Sequence, residues 1–179
     1  MTGKTTKSSF RGGFRYGWMV FAAMSRPNPL LPRQAQRLLQ LGIIFIFYSS
    51  LGGFAIPFLA SPRIGLSVHT LSAFQGVFLL AVGLFWPKLK LGIAASWIAF
   101  WFFIYGAAAI LIAYTIAAFW GVGNETIVLA GELPHGLSHG TAFQETVIKV
   151  LAYSSAPTGL ASFALILWGL RWTSDSQSP

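Results

Sequence analysis

The chain has 179 residues, 12 of them Lys or Arg and 4 Asp or Glu, with a formal net charge of +8 at pH 7. Hydrophobic residues make up 55 % and charged residues only 9 %, against roughly 25 % charged in soluble domains, so the apolar side chains are expected to face lipid. The absence of cysteine excludes a disulfide framework, a zinc–thiolate site and a cysteine nucleophile, and four scattered acids argue against a carboxylate-pair hydrolase or an oxygen-rich metal cage.

Residues 1–37 hold Lys4, Lys7, Arg11, Arg15, Arg26, Arg33 and Arg37 and no acid, interleaved with Gly, Ser, Thr, Pro27, Pro29 and Pro32. This composition predicts a mostly disordered, cytosol-facing tail. Within it, Tyr16–Met24 is too short to span a bilayer, which needs about 20 residues; with Trp18 and Phe21 it suits the headgroup surface. A basic, acid-free start also fits a mitochondrial presequence, although the prolines spoil a clean amphipathic helix. Because the basic residues gather at one end of the chain rather than along a face, no nucleic-acid partner is expected.

Four apolar stretches follow, from about Leu38 to Leu59, Leu66 to Trp86, Leu91 to Trp120 and Thr146 to Leu170. Backbone polar groups find no water in a bilayer, so these are predicted helices. The expected class is an all-α integral membrane protein: a four-helix transmembrane bundle over 38–171, preceded by the basic tail (1–37) and followed by a short C-terminal tail (172–179). Lys88 and Lys90 mark the second loop, Glu125 and Glu132 the third, and Arg171 the C-terminal flank. The positive-inside rule then predicts both termini in the cytosol, with Arg63 in the first loop the one exception.

Polar groups inside predicted spans are where function is sought. His69 shares a helical face with Ser72 and Gly76, whereas Gln75 lies on a neighbouring face. Two readings stay open for His69: a structural hydrogen bond to another helix, with Gln75 as interhelical glue, or an axial ligand of a haem iron. Tyr114 lies deep in the third span, after the small residues Gly106 to Ala109, and suits either a structural or a catalytic role. Glu145 and Lys149 at i, i+4 predict a structural ion pair. His135 and His139 are also four apart, but Pro134, Gly136 and Gly140 oppose a helix there, so they are read as loop polarity rather than a metal site.

The segment Pro62-Arg63-Ile64-Gly65-Leu66-Ser67-Val68-His69 resembles the PRxGLxxH segment of the bacterial hydroxylaminobenzene mutases, small four-helix membrane proteins. The likeness continues through Gln75-Gly76, Gly83 to Pro87, Tyr105-Gly106, Trp120-Gly121, Gln144-Glu145 and Leu167 to Leu170, covering roughly Leu38 to Arg171. The chain also resembles, more distantly, the styrene oxide isomerases, homotrimers that hold haem b between subunits. That resemblance implies His69 as the axial haem-iron ligand and Gln75 and Tyr114 as catalytic residues, with Gln75 replacing an asparagine. A further departure is Ile110, near which the mutases carry an asparagine. The implied activity is rearrangement of a small apolar or aromatic hydroxylamine or epoxide without net redox change, by haem-iron Lewis-acid catalysis in a homotrimer. Two alternatives stand beside it: a non-catalytic tetraspan partner of another enzyme, and a haem oxidase or electron carrier, disfavoured because the spans hold no second histidine.

Overall fold

The computed structural model describes residues 28–127 and 140–170. The segment Tyr16–Met24, the histidines at 135 and 139 and the C-terminal tail lie outside the described residues. Helix α1 spans Leu30–Ala55, starting well ahead of the expected Leu38. The prolines read as a barrier sit at the N-cap (Pro29) and in the first turn (Pro32), where a backbone N–H has no intrahelical partner to lose. The added turns are anchored by polar contacts. Buried Gln34 accepts from the Trp86 indole N–H at 3.0 Å and donates to the Ser96 carbonyl at 3.4 Å, while the Asn28 amide donates to Ser96 Oγ at 2.9 Å.

A 3-10 turn over Ile56–Phe58, containing Pro57, ends α1. Helix α2 covers Pro62–Phe85 with Pro62 in its first turn, and a second 3-10 turn, Trp86–Lys88, follows it. Helix α3, Ile93–Trp120, stops at Gly121, whose φ of 68° is the left-handed conformation that favours glycine. Helix α4, Ala142–Gly169, also begins before its expected start at Thr146, because Thr141 and Gln144 form a capping box. All four helices are long and apolar enough to cross a membrane. The chain is a multi-pass integral membrane protein.

Lipid supplies no hydrophobic drive between spanning helices, so close backbone approach and dispersion must hold them together. On the α1–α2 contact, a Cβ added to Gly76 would stand 2.6 Å from Ile46 Cγ1 and 2.8 Å from the Gly42 carbonyl oxygen. On the α3–α4 contact, a Cβ on Gly106 would stand 3.3 Å from Gly159 N, and buried Ser162 Oγ donates to the Ala99 carbonyl at 3.1 Å. The two hairpins join through α2 and α3. At the Trp86 end all four helices share one apolar core, with Leu38, Leu79, Trp86, Phe103 and Ile166 at its centre. Phe47, Phe54, Phe74, Leu84, Phe119 and Leu167 stand exposed on the outer surface, as lipid contact requires.

Candidate functional site

His69 is half-buried on the side of α2 that meets α1. Its Nδ1 lies 2.9 Å from the Ser49 carbonyl oxygen and 3.1 Å from Ser49 Oγ, and Ser49 Oγ–H donates to the His69 carbonyl at 2.7 Å. A Cβ on Gly53 would stand 3.3 Å from Nδ1, so the ring is seated directly against α1. Nε2 has no hydrogen-bond partner among the described residues. As the helical periodicity predicts, Gly76 meets α1 on the same side, and Ser72 is fully buried there, bonded to its own helix.

A cavity of about 580 Å³ opens on another side of α2, towards α3. Its wall includes Ile64, Leu66, Ser67, Thr70, Leu71 and Phe74 from α2, Ile110 and Tyr114 from α3, and Ile127. Exposed Leu66 and Phe74 flank it, so it communicates with the lipid-facing surface. Thr70 Oγ1–H donates back to the Leu66 carbonyl at 3.0 Å, leaving its lone pairs to the cavity. The Tyr114 hydroxyl has no partner among the described residues and is free to donate. This combination is that of an apolar ligand pocket with a few oriented polar atoms.

The three residues singled out from sequence therefore do not converge within one chain. Tyr114 lines the cavity; His69 and Gln75 do not. At about 100° of rotation per residue, His69 lies roughly a third of a turn away from the cavity wall. Gln75 is half-buried, and its Oε1 is buried without a hydrogen-bond partner. Ile110, noted only as a departure, is a cavity residue.

The expected Glu145–Lys149 ion pair is not formed. Glu145 is 5 % exposed and Lys149 is exposed; Glu145 Oε1 instead accepts from Gly123 N–H at 2.9 Å and Gly140 N–H at 3.4 Å. A carboxylate gains more from two backbone donors at the loop stem than from a flexible lysine in solvent. Gly123 O in turn accepts from Ile127 N at 2.7 Å, so Glu145 secures the turn that carries Ile127 into the cavity wall. Sequence reasoning missed this role and that of Ser49, since both depend on partners twenty or more residues away. An acid beside a predicted helix start and a serine inside a predicted span were the available signals.

Four spanning helices, a lipid-accessible apolar cavity between α2 and α3 with one tyrosine hydroxyl in its wall, and one imidazole tethered on the α1 side of α2 define a polytopic membrane protein equipped for a small apolar ligand. The family model for styrene oxide isomerase matches residues 34–171, and the chain belongs to that family. It is 44 % identical over 137 residues to hydroxylaminobenzene mutase HabB of Ectopseudomonas oleovorans, covering 76 % of this chain and 81 % of that protein. Hydroxylaminobenzene mutase HabA of the same organism is 30 % identical over 129 residues, 72 % of this chain and 93 % of that one. No solved structure matches significantly. These relationships make the chain a membrane protein of the isomerase and mutase type.

Proposed function

We propose that the protein rearranges a small aromatic hydroxylamine, or a related apolar epoxide, inside the bilayer without net redox change. The observation that carries this reading is the lipid-accessible cavity with Tyr114 in its wall. An apolar aromatic substrate partitions into the membrane and enters sideways. Its ring meets Leu71, Phe74 and Ile110, while Tyr114 donates to, and Thr70 accepts from, its polar end. A hydroxylamine offers N–H and O–H donors to Thr70, whereas an epoxide offers none, which favours the hydroxylamine. The apolar wall excludes water that would otherwise capture an electron-poor intermediate. An isomerisation conserves atoms and oxidation level, so no co-reactant is required.

Haem b is the cofactor of this reading, and the residues fit it. Among the described residues no group of three or more ligating side chains exists that would hold a bare metal ion, but His69 offers a single imidazole whose Nε2 is unengaged. His69 would hold the group, which when bound supplies a Lewis-acidic iron. His69 and the cavity that Tyr114 lines lie on different sides of α2, which supports a site shared between copies in a homo-oligomer, a trimer by family resemblance. Gln75, whose Oε1 is buried without a partner, stands outside the cavity lining of its own chain, so a part in catalysis would rest on a site shared between copies. The same reading puts both termini in the cytosol by the positive-inside rule, since of the six described basic residues Arg33, Arg37, Lys88 and Lys90 lie at one membrane face and Arg63 and Lys149 at the other.

Purified protein given phenylhydroxylamine and styrene oxide under anaerobic conditions, with product analysis and a visible spectrum, tests the reading. Turnover without oxygen or reductant, accompanied by a Soret band, is expected. Haem-replete protein that turns over neither compound would leave the non-catalytic alternative.

A further inference from the structure

We propose that Ser49 is the positioning residue of the His69 imidazole, deciding which ring nitrogen carries the proton and which is left bare. The inference rests on the reading of His69 as a ligand, but its geometry is complete before any ligand arrives. Nδ1 faces two oxygens, the Ser49 carbonyl at 2.9 Å and Ser49 Oγ at 3.1 Å. A carbonyl oxygen only accepts. The hydroxyl has one hydrogen, and that hydrogen is donated to the His69 carbonyl at 2.7 Å. Both oxygens are therefore acceptors towards the ring, so Nδ1 bears the hydrogen and the neutral ring keeps its lone pair on Nε2.

The clasp is sheltered, since Ser49 is only 3 % exposed, and it is reciprocal. The hydroxyl ties α1 to the backbone of the residue whose ring it faces, so ring and acceptor move as one unit. Gly53 leaves no side chain between the ring and α1, because a Cβ there would stand 3.3 Å from Nδ1 and 3.4 Å from Cε1. A metal-ligating histidine commonly donates its other N–H to a carbonyl or carboxylate, and losing that partner costs about 10–100-fold in metal affinity. Ser49 supplies this support from a neighbouring helix.

The test uses the full chain in nanodiscs, haem-free, with His135→Gln and His139→Gln so that His69 is its one histidine, labelled with 15N. At a pH where the ring is neutral, the spectrum is expected to show a protonated Nδ1 and a bare Nε2. Ser49→Ala keeps the carbonyl acceptor and so the protonated Nδ1, but loss of the Oγ contact and of its tie to the His69 carbonyl should move the Nδ1 resonance and lower hemin affinity, followed by Soret titration, by about 10-fold. Ser162→Ala is the control, because it also deletes a buried hydroxyl-to-carbonyl bond between helices, at 3.1 Å, without touching the ring. It should leave the spectrum unchanged. A protonated Nε2 in the parent, or identical spectra for the Ser49→Ala and Ser162→Ala proteins, would overturn the proposal. The parent spectrum needs no change at Ser49, so the test survives a variant that fails to insert. If the tautomer is as expected and Ser49→Ala moves the Nδ1 resonance, yet the parent binds no hemin, the ligand reading of His69 falls and the role of Ser49 stands.

Discussion

The two sides of α2 are built from different residues and do different work. Towards α1, Gly76 and Gly42 bring the backbones into contact, and His69 is pinned between helices by Ser49. Towards α3, Leu71, Phe74, Ile110 and Tyr114 line about 580 Å³ of cavity. Small residues fix a side chain in one pose; bulky residues that do not interdigitate leave room for something else. A helix with both faces can hold a rigid ligating group and an adaptable binding wall within two turns.

The comparison is broken most severely at His69. His69→Ala removes the one imidazole within the described spans, and no cysteine can replace it. Haem and turnover are expected to fall together, by more than about 100-fold, while the helices still insert; haem content measured beside product formation checks this. Retention of full haem would remove the ligand from the α1 side. Next is Gly76→Ala, whose methyl meets backbone atoms that cannot rotate away. We expect a loss of about 1–3 kcal/mol, read by steric trapping or denaturant unfolding in micelles. An equal loss from alanine at Gly52, where nothing lies within 4 Å of an added Cβ, would contradict the tight-side description.

On the open side, Tyr114→Phe deletes one hydroxyl without disturbing a hydrogen bond among the described residues. Turnover should fall by about 5–10-fold, the equivalent of one hydrogen bond of about 1 kcal/mol, with haem content unchanged. A parallel fall in haem would place Tyr114 in the ligating side instead. The smallest effect is expected from Gln75→Asn, which shortens an amide that lines neither the clasp nor the cavity of its own chain. A change of about threefold or less in the ratio of hydroxylamine to epoxide turnover is the expected result, on the scale of a fraction of a hydrogen bond. Competition assays on the two substrates would measure it.

The four spans and the helical class were legible because apolar runs of that length have few alternatives in a chain so poor in charge. The helix starts were not. Pro29 and Pro32 read as breakers, yet at a first turn they break nothing, and the added turns depend on Gln34 meeting the Trp86 indole from the turn that follows α2. The Glu145–Lys149 spacing suggested a local pair, but a carboxylate buried at the loop stem meets Gly123 and Gly140 first. Local spacing finds local partners and cannot weigh them against distant ones.

The sequence by itself determined that this protein crosses the membrane four times, which residues in its spans are polar, and, through its family resemblance, what chemistry to look for. Only the tertiary structure decided that His69 and Tyr114 serve different sides of one helix, that Ser49 holds the first, and that Ile110 and Ile127 help enclose the space before the second. The physical reason is that insertion depends on hydropathy summed along the chain, whereas a site depends on which helix faces approach to within a hydrogen bond. That distance is set by glycine contacts and loop anchors twenty or more residues apart.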